Sequence, residues 1–277
     1  MTYFNHNKLP LASGSSHSID DNFKILKQLH LSGMADALVD ISSSKEFIEL
    51  GFNDQLYELL SQEVVKRMNS RYQSRLKKAQ LHSSATQEVI IDRKASYNLS
   101  RNQIDYMMSC NWITEGELIL ITGKCGCGKT DLASAIVDSA CRKGLKAKCI
   151  DYSLCILDLL SAQQTGSPEI YEKRKSSYAS NQLLLLDDIC IGSAKDGELF
   201  VFKELVQLCR ENNRCGLILV SQLKPSKWMS LMGGSKEAAD AVIDRISSKC
   251  LHINLEGNSH RASRRKHNAP EVSDEQK

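Results

Sequence analysis

One short run constrains this chain more than any other: Gly123-Lys124-Cys125-Gly126-Cys127-Gly128-Lys129-Thr130. It satisfies the pattern GxxxxGK[ST] at every fixed position. It follows the apolar run ELILIT and opens DLASAIVDSACRK, so strand, loop and helix stand in the order the pattern requires. Glycines let the backbone curl until several N–H groups face one point. The start of the helix adds partial positive charge there. These residues are therefore expected to bind the phosphates of ATP, with Lys129 reaching the β/γ-phosphates and Thr130 holding Mg²⁺.

Two thiols, Cys125 and Cys127, sit inside this loop. A metal site would need a second pair, and CxxC occurs nowhere. They are read as loop-lining thiols whose pKa Lys129 and the helix N-terminus lower, so that alkylation would impair nucleotide binding.

From Glu117 onward, apolar runs alternate with helical patterns: ELILITG, 128–143, KAKCIDY, 153–162, LLLLDD, 198–212, GLILVSQ, 236–247 and CLHINL. That texture predicts an α/β parallel sheet. Residues 163–182 are polar and read as a mobile loop. Leu183–Leu186 ends in Asp187-Asp188, a buried strand delivering two carboxylates. Asp187 would ligate Mg²⁺, directly or through water, and Asp188 would orient or deprotonate an attacking water. A further strand ends in Ser221-Gln222. Either residue could sense the γ-phosphate or position water, because strand C-termini converge on the ligand crevice. A loop that merely starts Ser-Gln fits the spacing almost as well. In Asp240-Ala-Val-Ile-Asp244-Arg245, the choice lies between a solvated, salt-bridged face and an arginine supplied to a neighbour's ATP.

The domain boundaries expected are an arm over 1–21, a helical region over 22–81 and a connector over 82–114. An ATPase domain over 115–256 and a tail over 257–277 follow. Ser18-Ile-Asp20 can cap the first helix, and a short helix should begin near Ser100. Residues 54–80 read as one long helix with Leu56, Leu60, Val64, Met68, Tyr72 and Leu76 as an apolar stripe. Its second half carries Lys66, Arg67, Arg71, Arg75 and Lys78. With Arg261, Arg264 and Arg265 of the tail, these are candidates for duplex DNA phosphates, read without base specificity. An ordinary solvated basic surface is equally compatible with the charge pattern.

Composition bounds the alternatives. The 36 Lys plus Arg against 33 Asp plus Glu leave +3, which excludes a globally polycationic protein but permits local patches. Hydrophobic residues at 42% can fill a core. The ten cysteines show no finger-like spacing. No signal-like segment opens the chain and no apolar run reaches membrane-span length. A reducing cytoplasm with free thiols is the expectation.

Together LKQLHLSGMADAL (26–38), the helix with Glu63, Arg67 and Arg71, GKCGCGKTDLASA, LLLLDD, ILVSQL and DAVIDRI resemble the IstB-like ATP-binding proteins. These are transposition helper ATPases of the AAA+ class, kin to the DnaC helicase loaders. The resemblance spans about residues 22–265. It implies an α/β P-loop NTPase fold of the AAA+ (ASCE) type with an N-terminal helical domain. It also implies ATP-dependent assembly on duplex DNA, a homo-oligomer and a transposase partner. By motif match, Lys129 and Thr130 are Walker A residues and Asp187 with Asp188 the Walker B pair. Ser221–Gln222 falls at sensor 1, and Arg245 at the trans-acting arginine position. Departures from the family pattern are Cys125 and Cys127 for small or apolar residues, Cys190 where glycine is common, and Val220 where threonine is frequent.

Three function classes remain open: a DNA-assembled helper of a transposase, a DnaC-like loader of a replicative helicase, and a P-loop small-molecule kinase. The first two share the same ATP site and differ in partner. The third would need an acceptor pocket and would not form DNA-dependent assemblies.

Overall fold

The computed structural model describes residues 18–93, 97–189, 197–211, 215–228, 231 and 236–256. The candidate DNA contacts Arg261, Arg264 and Arg265 and the variant position Cys190 lie outside them. The chain divides into two compact units, Met1–Arg71 and Tyr72–Lys277.

In the first unit, α1 (Ile19–Gln28) opens with a capping box. Ser18 Oγ accepts from the Asp21 amide at 3.2 Å, and the Asp21 carboxylate accepts from the Ser18 amide at 3.1 Å. The helix therefore starts inside the segment read as an arm. The next helix, α2 (Ser32–Ile41), has no side-chain cap of its own. Glu63 of α4 (Phe52–Ala79) supplies one. Its Oε2 accepts from the amides of Gly33 at 2.5 Å and Met34 at 3.1 Å, while Oε1 accepts from Arg67 Nε at 2.6 Å. The close approach explains the glycine in SGMADAL: a Cβ on Gly33 would stand 2.7 Å from Glu63 Cα. Between α2 and α4 lies the short α3 (Lys45–Ile48). The expected apolar stripe of α4 is not a buried seam along its first part: Leu56, Leu60, Val64 and Met68 are exposed.

In the second unit, five parallel strands form a sheet: β1 (Leu118–Gly123), β2 (Ala147–Asp151), β3 (Leu183–Ile189), β4 (Gly216–Ser221) and β5 (Cys250–Leu255). Their spatial order is β2-β3-β4-β1-β5. The strands are apolar on both faces because both are covered, as parallel sheets require. Ile119, Ile121, Leu183, Leu185, Ile218 and Val220 point into one core with α8 (Lys129–Arg142). Leu118, Leu120, Leu184, Leu186, Leu217 and Leu219 point into the other. That second layer holds α9 (Tyr152–Gln164), α11 (Glu198–Arg210) and α12 (Lys236–Ser247).

Two segments carry more regular structure than their patterns announce. Within its described residues the connector 82–114 includes α5 (Gln87–Asp92), α6 (Arg101–Ser109) and α7 (Asn111–Thr114). Ile90, Tyr97, Ile104, Met107 and Trp112 are buried in the same core as α8. The helix near Ser100 does begin there, with Ser100 as its cap. Residues 163–182 contain a helix, α10 (Pro168–Ala179), opened by a proline at its first position. Tyr171 and Tyr178 bury its inner side, and Lys175 Nζ bonds Glu204 of α11 at 2.7 Å.

Candidate functional site

Parallel connections bring the C-terminal ends of β1, β3 and β4 to one edge of the sheet, β4 lying between the other two. The phosphate-binding loop leaves β1 there. Gly128 is the N-cap of α8 at φ 91, a left-handed conformation that glycine adopts without steric cost. A Cβ at this position would also lie 2.5 Å from Cε1 of buried Tyr97, so backbone and ring fit only because the side chain is absent. Lys129 is buried, and its ammonium donates to the Lys124 carbonyl at 2.9 Å, folding back over the loop. Of the two loop thiols, Cys125 is exposed and Cys127 is buried. Of the two thiols read as loop-lining, Cys125 is therefore the one open to an alkylating reagent. Among the described residues, no cluster of three or more His, Cys, Asp or Glu could hold a metal ion.

Asp187 and Asp188 leave β3 at an irregularity. The register with β4 shifts between Leu186 and Ile189, and Asp188 has φ 58. Such a bulge turns successive side chains away from strict alternation. Asp187 is buried, and its Oδ2 accepts the Thr130 hydroxyl at 3.0 Å. Its Oδ1 accepts the Asp188 amide at 3.0 Å. Asp188 is more open. Burial raises its pKa, the neighbouring Asp187 charge adds to the rise, and Lys129 and a hydrogen bond from Gln222 pull the other way. Gln222 therefore meets the Asp188 carboxylate.

Ser221 does not share that role. Its side chain is fully buried, its hydroxyl donates to the Ile189 carbonyl at 2.8 Å, and it accepts from the Leu223 amide at 3.1 Å and Trp228 Nε1 at 3.2 Å. It ties β3 to β4, and these bonds occupy its hydroxyl. Arg245, on α12, is half-buried. Its carbonyl accepts from Arg210, and its Nη1 is buried with no hydrogen-bond partner among the described residues.

The layer formed by residues 82–114 adds contacts that no motif announced. His82 Nδ1 lies 3.2 Å from Asp187 Oδ2. Ser83 Oγ donates to Asp131 Oδ1 at 2.6 Å, and Arg93 Nη1 reaches Asp131 Oδ2 at 3.4 Å. The local sequence HSSATQEV carries no signal for these contacts, because each crosses scores of residues.

The basic candidates divide. In the first unit, Lys66 pairs with Asp36, and Arg67 pairs with Glu63 and the His30 carbonyl at 3.2 Å. Lys27 and Lys66 hold the Asp36 carboxyl down to about 2. Lys66 and Arg67 are thus engaged within the first unit. Arg71 is exposed. In the second unit, Lys78 is exposed and Arg75 half-buried beside Gly144. Among the described residues, Arg71, Arg75 and Lys78 have no ion pair.

The donor set fits a magnesium nucleotide by its chemistry. The paired Thr130 hydroxyl and Asp187 carboxylate are hard oxygen donors of the kind Mg²⁺ takes, and two protein oxygens suffice where phosphates and water complete the shell. An insertion sequence ATP-binding protein of Sinorhizobium fredii (y4uH) is 30% identical over 240 residues, covering 87% of this chain and 94% of the relative. The IS21 ATP-binding protein of Pseudomonas aeruginosa is 26% identical over 245 residues, covering 88% and 89%. Among solved structures, a DNA replication initiation factor superposes with TM-score 0.52 at 21% identity, over 68% of this chain and 55% of that one. The replication initiator DnaA bound to AMPPCP and single-stranded DNA gives 0.50 at 20% identity, over 65% and 52%. The fold is thus the α/β P-loop fold of AAA+ proteins. The family model for IstB-like ATP binding protein matches residues 24–269, and the chain belongs to that family.

Proposed function

We propose that this chain is an ATP-hydrolysing helper of a transposase that assembles as a homo-oligomer on duplex DNA when ATP is bound. The observation that carries the reading is the meeting of Lys129, Thr130, Asp187, Asp188 and Gln222 at one sheet edge. Lys129 would release the Lys124 carbonyl for the β/γ-phosphates, and the loop amides would share the remaining charge. Thr130 and Asp187 would hold Mg²⁺, which when bound neutralises charge developing on the phosphate oxygens. Asp188, oriented by Gln222, would position or deprotonate the attacking water.

Arg245 would serve a neighbouring subunit's nucleotide. The resemblance at Asp244-Arg245 supports this. Arg71, Arg75 and Lys78 would contact DNA phosphates, each releasing counterions and none reading sequence. The names of the relatives, insertion sequence ATP-binding proteins, support the transposase as partner.

The test is sizing chromatography of the purified protein with duplex DNA, with and without ATP. A large DNA-bound species that needs ATP and dissolves with rising salt supports the reading. A monomer unaffected by either ligand overturns it.

A further inference from the structure

Asp187 is held from three directions. Thr130 comes from the phosphate-binding loop and the Asp188 amide from β3 itself, but the third group, His82, belongs to neither. An ionised carboxylate only accepts hydrogen bonds, so the 3.2 Å contact places the proton on Nδ1. The imidazole is about a quarter exposed, at 27%, whereas the Asp187 side chain is at 4%.

The backbone around His82 is anchored on both sides. Just before it, Gln80 adopts φ 56 and its side chain accepts from Lys148 of β2. Further back, the Tyr72 hydroxyl bonds Asp138 of α8, and Arg142 stacks on the Tyr72 ring 4.8 Å from its centroid. Just after it, Ser83 bonds Asp131 at 2.6 Å. The imidazole is thus carried on a backbone tied to β2 and α8, within hydrogen-bond reach of the carboxylate.

We propose that His82 is a positioning residue that turns the Asp187 carboxylate toward the divalent cation, so that cation affinity depends on the segment joining α4 to α5. This rests on the reading of Thr130 and Asp187 as the cation's protein ligands. Groups that hydrogen-bond a ligating carboxylate or imidazole fix its orientation, and losing one typically costs about 10–100-fold in metal affinity.

Mn²⁺ is a suitable probe, with free ion counted by electron paramagnetic resonance in the presence of saturating ADP. Two variants separate a donated hydrogen bond from mere packing. His82→Phe keeps the bulk of the ring and has no donor. His82→Asn loses the ring but carries an amide nitrogen close to where Nδ1 stood. The expected result is Mn²⁺ binding about tenfold weaker in H82F, and H82N within about twofold of the parent. ADP affinity in EDTA should be equal in all three. Wild-type affinity in H82F, equal weakening in both variants, or tighter binding in H82F would each overturn the proposal. The last result would mean that the imidazole obstructs the cation. Parent protein that retains ADP but binds no Mn²⁺ would instead refute the cation site itself, an outcome readable before any variant is made.

Discussion

Substituting Gly128 by alanine separates two physical demands on the phosphate-binding loop. The first is conformational. At φ 91 an L-residue meets its own backbone, at a cost of about 1–2 kcal/mol. The second is steric. The new Cβ would stand 2.5 Å from Tyr97 Cε1, 2.6 Å from its hydroxyl oxygen and 3.0 Å from Cζ. Tyr97 is fully buried, so the ring cannot swing out, and overpacking of this kind costs about 1–3 kcal/mol. The sum is about 2–5 kcal/mol, or a melting temperature lower by about 5–15 °C in a unit of this size. Thermal unfolding measures it, and a fluorescent ATP analogue should bind the variant weakly or not at all. A Tyr97→Ala background apportions the effect through a double-mutant cycle. With the ring gone, Gly128→Ala should cost only the backbone part, about 1–2 kcal/mol. If the penalty is equal in both backgrounds, or below about 0.5 kcal/mol in the parent, the packing argument is wrong.

Other consequences can be checked separately. Burial would raise the Glu63 pKa, but Arg67 and the Met34 and Gly33 amides outweigh it and hold the carboxyl low. Its contribution to stability is therefore present above the unfolded pKa of about 4.3 and lost as pH falls through the lower folded value. Glu63→Gln should cost about 1–3 kcal/mol at neutral pH, seen as faster hydrogen exchange at the Gly33 and Met34 amides, and should flatten the acid limb of the stability curve. Unchanged exchange would remove Glu63 as the cap of α2. Ser221→Ala should lower stability by about 1 kcal/mol with ATP turnover per folded molecule preserved, whereas Gln222→Ala should slow turnover and leave the melting temperature alone. The reverse pattern would restore Ser221 to the site. Arg245→Ala should abolish turnover while leaving ATP binding within about twofold, since the arginine is expected to act on a neighbour's nucleotide. Turnover at the parent rate would confine Arg245 to a structural role.

The parts of the fold that could be read from sequence are those in which one chain segment carries its own signal. LILITG, LLLLDD and GLILVS are mostly apolar because both faces of each strand are covered, and each ends at the sheet edge where the phosphate-binding loop stands. The GKT loop announces its strand and helix within a few positions. The layer over residues 82–114 was harder, since Ile90, Tyr97, Ile104 and Trp112 are separated by turns and no single period joins them. Helix α10 hid behind its polarity: two tyrosines and the stem of Lys175 supply its buried side. His82 and Ser221 show the remaining limit. Their roles depend on which strand lies next to which, and a hydroxyl at a strand end faces either the ligand or its neighbour with the same local sequence. The exposed run of Leu56, Leu60, Val64 and Met68 shows that an apolar stripe specifies a helix face without specifying what covers it.

The nucleotide site is tested most directly by calorimetric titration of ATP with Mg²⁺ into the full chain and into Lys129→Ala. Saturable binding to the parent, weakened about tenfold or more in the variant by loss of charge-assisted bonds at an unchanged melting temperature, is the expected result. A folded parent that takes up no ATP, or a variant that binds as the parent does, would contradict it.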